Sequence, residues 1–190
     1  MNKPLIRMSV CCSLLLSAVG MGLAGCSTAP TTPQEQAQLS SDSQKALTRM
    51  FQDDPSLQNL VNNSYAYVVF PTVGEGAIGI GASHGHGEAF QGGQLVGYAE
   101  MTRVDIGPQL GGQEYAELLV FRTKEAFDKF TNNNFTFSAD ASAVILKSGA
   151  AAEAKWSDDV AAFQRSEGGA FAGAAIGGQR FTYRAASLSA

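Results

Sequence analysis

The stretch Gly81-Ala82-Ser83-His84-Gly85-His86-Gly87-Glu88 concentrates the residue types that do chemistry. Gly81 to Gly85 fits G-x-S-x-G, the pattern that presents a nucleophilic serine at a sharp strand-to-helix turn. That chemistry needs a histidine base arriving from elsewhere in the chain. The chain has two histidines, both within three residues of Ser83, and on an extended segment an odd offset sends a side chain to the opposite face. Gly87 and the Gly92-Gly93 pair also argue against a helix after the serine. Serine hydrolysis is therefore not expected. His84, His86 and Glu88 share one parity, so on a strand they occupy one face. Two imidazoles and a carboxylate could hold zinc there with an open coordination position; exposed histidines on a turn are the alternative. The glycines could also cradle phosphate, but a P-loop needs Gly-Lys-Ser/Thr opening a helix. No lysine lies between Lys45 and Lys124, and no cofactor is expected.

The ends of the chain bound the setting. Lys3 and Arg7 precede a short apolar run, Leu14 to Leu16 and Val19, which has the anatomy of a secretory signal and is too short to span a membrane as a mature helix. The run ends in Leu23-Ala24-Gly25-Cys26, which resembles a bacterial lipobox. The expectation is a signal peptide over residues 1–25, cleavage before Cys26 and acylation (palmitate type) of Cys26. Ser27 after that cysteine resembles outer-membrane sorting, so a lipid-anchored place in the bacterial cell envelope, facing the periplasm, is expected. Cys11 and Cys12 would leave with the signal, which excludes an intrachain disulfide, a cysteine nucleophile and a thiolate metal site. The formal net charge is −4 and becomes more negative without Lys3 and Arg7. Nucleic acid, which requires the opposite balance, is not an expected partner.

Behind the chemistry stand the elements that must position it. Residues 26–40 read as an acylated cysteine and a flexible tether rich in Ser, Thr, Pro, Ala and Gln, spanning roughly 20 Å as a coil. Residues 41–190 read as one domain. Two short helices are predicted over Ser41 to Asn63: Ala46, Leu47, Met50 and Phe51 form one apolar stripe, and Asp54-Pro55 fits an N-cap followed by proline at the first helical position. From Ala66 the pattern turns to strand. Twelve glycines fall between Gly74 and Gly112, interleaved with Ile78, Ile80, Phe90, Val96, Tyr98, Val104 and Ile106. That mixture predicts bulges, tight turns and bent strands in close approach, with Gly92-Gly93 as a hairpin turn. Glu117 to Phe121 reads as a central strand, and Thr123 as the cap of a helix from Lys124 to Phe130 that buries Ala126, Phe127 and Phe130. A strand begins near Phe135; Ser138 to Ala154 fits either helix or strand. Gly168-Gly169 and Gly177-Gly178 read as turns between short C-terminal strands. The fold class is α+β: short N-terminal helices on a curved, mostly antiparallel, glycine-rich sheet of barrel-like curvature.

At this point the glycines become recognisable. Phe70-Pro71-Thr72-Val73-Gly74-Glu75-Gly76-Ala77-Ile78-Gly79-Ile80-Gly81, then His84-Gly85-His86-Gly87, resembles the SYLF domain family. So do Gly97-Tyr98, the block from Gly107 to Phe121, and Phe163-Gln164-Arg165-Ser166-Glu167-Gly168 with Phe171-Ala172-Gly173. The resemblance covers roughly Ser41 to Tyr183. It implies a lipid-binding module and not an enzyme, with membrane contact through a basic amphipathic N-terminal segment. Here that segment holds Lys45 and Arg49 beside Asp42, Asp53 and Asp54, and Tyr98-Ala99-Glu100-Met101 stands where eukaryotic members carry a tryptophan-centred motif.

The expected function is thus an acyl-anchored envelope lipoprotein whose domain binds membrane lipid through a phospholipid or phosphoinositide-like headgroup. Candidate contacts are Lys45, Arg49, Arg165, Arg180 and Arg184. A structural lipoprotein that recognises another envelope protein is the alternative, and metal binding through His84, His86 and Glu88 is the third. Actin, a partner of eukaryotic members, is not expected for an exported bacterial chain.

Overall fold

The computed structural model describes residues 30, 32–132, 136–138, 144–145, 147–173 and 176–186; the leader and Cys26 lie outside them. Helix α1 spans Pro33–Asp53 and α2 spans Pro55–Asn62. The first begins earlier than composition suggested. Thr32 Oγ1 accepts from the Glu35 backbone N–H at 3.2 Å, the Glu35 carboxylate accepts from the Thr32 N–H at 3.0 Å, and Pro33 occupies the first helical position. This capping box satisfies two orphan donors at once. It starts a helix whose first turns are solvated, so Pro33–Ser40, read as tether for want of large apolar residues, is helical instead.

Asp54 closes α1 and opens α2. Its Oδ1 accepts from the Ser56 N–H at 3.0 Å and the Ser56 hydroxyl at 2.6 Å, and its Oδ2 accepts from the Ala151 N–H at 2.8 Å. Burial pushes this carboxyl up, but the donors outweigh it and hold Asp54 below the usual carboxylate range.

The sheet departs from a series of short strands. Strand β1 spans Ala66–Gln91 and β2 spans Gln94–Phe121, 26 and 28 residues, joined at Gly92-Gly93 with φ of +56° and +78°. The two pair antiparallel along nearly their whole length. After α3 (Lys124–Thr131), capped by Thr123 as expected, come β3 (Thr136–Ser138), β4 (Val144–Ile145), one 3-10 turn at Ala150–Glu153, β5 (Val160–Gly173) and β6 (Ile176–Ala185). Gly168-Gly169 and Gly177-Gly178 lie inside β5 and β6, not in turns between them. Strand β6 pairs with residues 97–106 of β2 and β5 with residues 109–121, both antiparallel; β4 runs parallel to β5. The six strands curve without closing into a barrel: among the described residues β1 pairs with β2 alone, β3 with β6 and β4 with β5.

Instead, the long hairpin folds over on itself. Its two halves face each other across one core, where Phe70 meets Phe181 at 5.7 Å between ring centroids and Phe130 of α3 meets Phe121 at 5.2 Å and Phe181 at 5.7 Å. Each of these fully buried phenylalanines contributes about 2–3 kcal/mol of apolar burial. Helices α1 and α2 cover the outer face of the half nearer the termini of the hairpin, with Met50, Leu57 and Val61 against Val69, Leu118, Val120 and Phe163.

Candidate functional site: the outer face of the hairpin

The apolar alternation of β1 turns inside out at its bend. Glu75 and Ala77 point inward and are buried, while Ile78 and Ile80 point outward, 85% and 65% exposed. Across the ladder Ile78 pairs with Leu110, which is 65% exposed, and Ala82 pairs with Val104, which is 54% exposed. These residues form one apolar patch where the hairpin folds back. Beside it Gly74, Gly76 and Gly112 continue the outward face without side chains, and Gly74 and Gly112 help line an open groove of about 490 Å³. An added Cβ at Gly74 or Gly76 would meet nothing within 4 Å, so packing does not require glycine there. By sequence alone these isoleucines read as ordinary strand residues. The available signal is their parity: they share it with Gly74 and Gly76 and are out of phase with Glu75 and Ala77.

The basic candidates lie elsewhere and are scattered. Lys45 on α1 holds Asp42 at 3.0 Å, Arg49 holds Glu167 at 2.7 Å, and Arg165 holds both Asp53 and Glu167 at 2.7 Å. The cleft between α1 and the sheet, about 320 Å³, is lined by Asp42, Ala46, Arg49, Pro71, Thr72, Glu114 and Glu167. Three carboxylates and one guanidinium do not make an anion pocket. Arg184 donates to the Pro30 carbonyl at 2.9 Å and lies 5.5 Å from the Tyr98 ring centroid. Arg180 is exposed on β6, in register with Thr102. Thus Arg49 and Arg165 are brought together through Glu167, Lys45 lies one turn from Arg49 on the same side of α1, and Arg180 and Arg184 lie apart on β6.

The chemical candidates of β1 separate by face. Ser83 sits within the strand, not at a strand-to-helix turn, and points into the core at 2% exposure, whereas His84 and His86 are exposed outside. No serine–histidine pair forms. Glu88 shares the histidines' face but not their surroundings: α1 covers it, leaving it 1% exposed. Burial pushes its carboxyl up, opposed by the Ser43 hydroxyl, and neither group completes a well-formed hydrogen bond among the described residues. The expected trio of His84, His86 and Glu88 is therefore corrected. Among the described residues no group of three such side chains is placed to hold a metal, because the helix that completes the core takes Glu88 out of reach.

A second buried carboxyl, Glu117, lies between the sheet halves. Gln164 and Gln179 donate to its Oε2 at 2.7 and 2.9 Å, and its Oε1 has no partner among the described residues. Burial pushes this group up, against the pull of the two amides and of Arg103.

Residues 102–187 match the family model described as Ysc84, Las17-binding protein actin regulator. This segment belongs to the SYLF family. The match starts within β2 and takes in α3 and β3 to β6. The chain is also similar to Beta cell expansion factor A from Aeromonas veronii, 27% identical over 139 residues, which are 72% of this chain and 52% of the relative. The chain therefore spans about half the length of that relative. Family membership supports a lipid-binding or interaction domain.

Proposed function

We propose that this chain is a non-enzymatic lipoprotein of the bacterial envelope whose SYLF domain binds membrane lipid by seating the apolar patch at the hairpin bend in the bilayer interface. The observation that carries this reading is the exposure of Ile78, Ile80, Val104 and Leu110 together on one outer face. Contiguous exposed apolar surface marks interaction sites, and a curved tip of aliphatic side chains suits the acyl boundary of a membrane. Anchoring falls to the Cys26 acyl group in this reading, which rests on the Leu23-Ala24-Gly25-Cys26 lipobox resemblance. Headgroup charge is secondary in this reading, because Lys45, Arg49 and Arg165 already hold carboxylates. No actin-related partner is proposed from the family's description.

The test is vesicle sedimentation with full chain carrying Cys26→Ser, which removes the acylation site. The chain co-sediments with phosphatidylcholine vesicles, Ile78→Asp with Ile80→Asp abolishes this, and Lys45→Glu with Arg49→Glu changes it little. Equal sedimentation with and without vesicles overturns the reading. Capture of one envelope protein by the same patch, without vesicle binding, would favour the protein-recognition alternative.

A further inference from the structure

Across the ladder from the exposed histidines stands a carboxylate that sequence spacing does not indicate. His84 and His86 project from the outer face of β1 with their Nε2 atoms 3.3 Å apart, ring centroids 4.8 Å apart and ring planes perpendicular. Glu100 of β2, in register with His86, places Oε1 3.4 Å from His84 Nδ1. The His84 side chain is 52% exposed, and that of Glu100 is 13% exposed.

Two features of this arrangement match a metal site. Zinc binds imidazole nitrogen at about 2.0–2.1 Å with tetrahedral angles, which puts two such nitrogens about 3.3 Å apart. The two Nε2 atoms already stand at that separation, so a metal between them requires the donor ring to carry its proton on Nδ1 instead of Nε2 and little movement of either ring. The second feature is Glu100. A carboxylate 3.4 Å from Nδ1 is placed to accept its proton when zinc takes Nε2, which favours the tautomer with the Nε2 lone pair free and orients the ring, the usual outer arrangement around a histidine bound to zinc.

We propose that His84 and His86 form a two-histidine zinc site on the outer face of the hairpin, with Glu100 as the positioning residue for His84. The remaining coordination positions face solvent and would hold water. Oxygen-seeking cations such as magnesium are not expected there, because the ligands are imidazoles. The site is independent of the membrane reading.

Isothermal titration of zinc chloride into untagged full chain tests it. The chain carries Cys11→Ser, Cys12→Ser and Cys26→Ser, so no thiolate competes. The expected result at pH 7.5 is one zinc per chain with Kd below about 100 µM, and no saturable heat with magnesium. His84→Ala and His86→Ala each weaken binding at least about tenfold, and Glu100→Gln weakens it about tenfold at unchanged stoichiometry. The chain has two histidines, so their imidazole proton resonances report on this site alone and shift on saturation. Binding weaker than that limit, or binding that survives the double histidine variant, overturns the site. An unchanged Kd in Glu100→Gln overturns the role of Glu100.

Discussion

Gly87, in the second half of β1, lies directly on Phe70, in the first half of the same strand. A Cβ at Gly87 would stand 2.6 Å from the Val69 carbonyl oxygen and 2.7 Å from Phe70 Cδ1. One turn of the pleat away, a Cβ at Gly85 would stand 2.9 Å from the Thr72 carbonyl oxygen and 2.8 Å from a Val73 methyl. The strand can cross over itself because these two positions have no side chain.

Gly87→Ala is therefore expected to destabilise the domain by about 2–3 kcal/mol, the cost of forcing overlap onto backbone and a fully buried ring. Gly76→Ala, where nothing lies within 4 Å, is expected to be neutral or stabilising by up to about 1 kcal/mol through the unfolded chain. Urea denaturation of both variants checks the contrast; equal effects would sink it.

Glu117 sets a pH dependence. Its carboxyl is pushed up by burial, so the native state keeps a proton that the unfolded chain releases at the ordinary carboxylate pKa. Its contribution is complete below that value and is lost as pH rises through the higher native value. Glu117→Gln keeps the acceptor for Gln164 and Gln179 and cannot ionise. This variant is expected to be more stable than the parent at pH 8, by about 1–3 kcal/mol, with the advantage shrinking toward pH 4. Stability curves at the two pH values decide it.

Asp54 ties α1, α2 and the 3-10 turn at one point. Asp54→Ala removes the α2 cap and leaves the Ala151 N–H without its acceptor, costing about 2 kcal/mol. Since its donors hold this carboxyl below the usual range, the stabilisation is present above the unfolded pKa and is lost as pH falls through the native value. Thermal melts of parent and variant should converge in acid.

Arg165 links Asp53 at the end of α1 to Glu167 on β5. These groups are partly exposed, so Arg165→Ala is expected to cost no more than about 1 kcal/mol, less in high salt. Hydrogen exchange near Asp53 should accelerate while that of β2 does not. A larger, salt-independent loss would mean the side chain serves chiefly as packing.

Much of the fold was legible in the chain. Thr123 and Asp54 announce their helices because capping is local chemistry. Gly92-Gly93 announces the hairpin because both positions require φ above zero. Ala126, Phe127 and Phe130 report a buried helix face through their spacing. Even the start of α1 was readable from Thr32 and Glu35, though low apolar content hid it. The candidate site was less legible. Ile78 and Ile80 look like core residues until the bend turns their face outward, and the basic residues look available until Asp42, Asp53 and Glu167 are placed beside them.

What the sequence determined by itself is what depends on neighbours in the chain: caps, turns, periodicity, and the glycine blocks that resemble the SYLF family. What the tertiary structure decided depends on strand register and on a strand folding over itself. Those relations put Glu100 beside His84 and bury Glu88 under Ser43. They also set Glu117 between two glutamines from distant strands. No local pattern encodes them, because each joins residues whose proximity exists only once the long hairpin has closed on its own core.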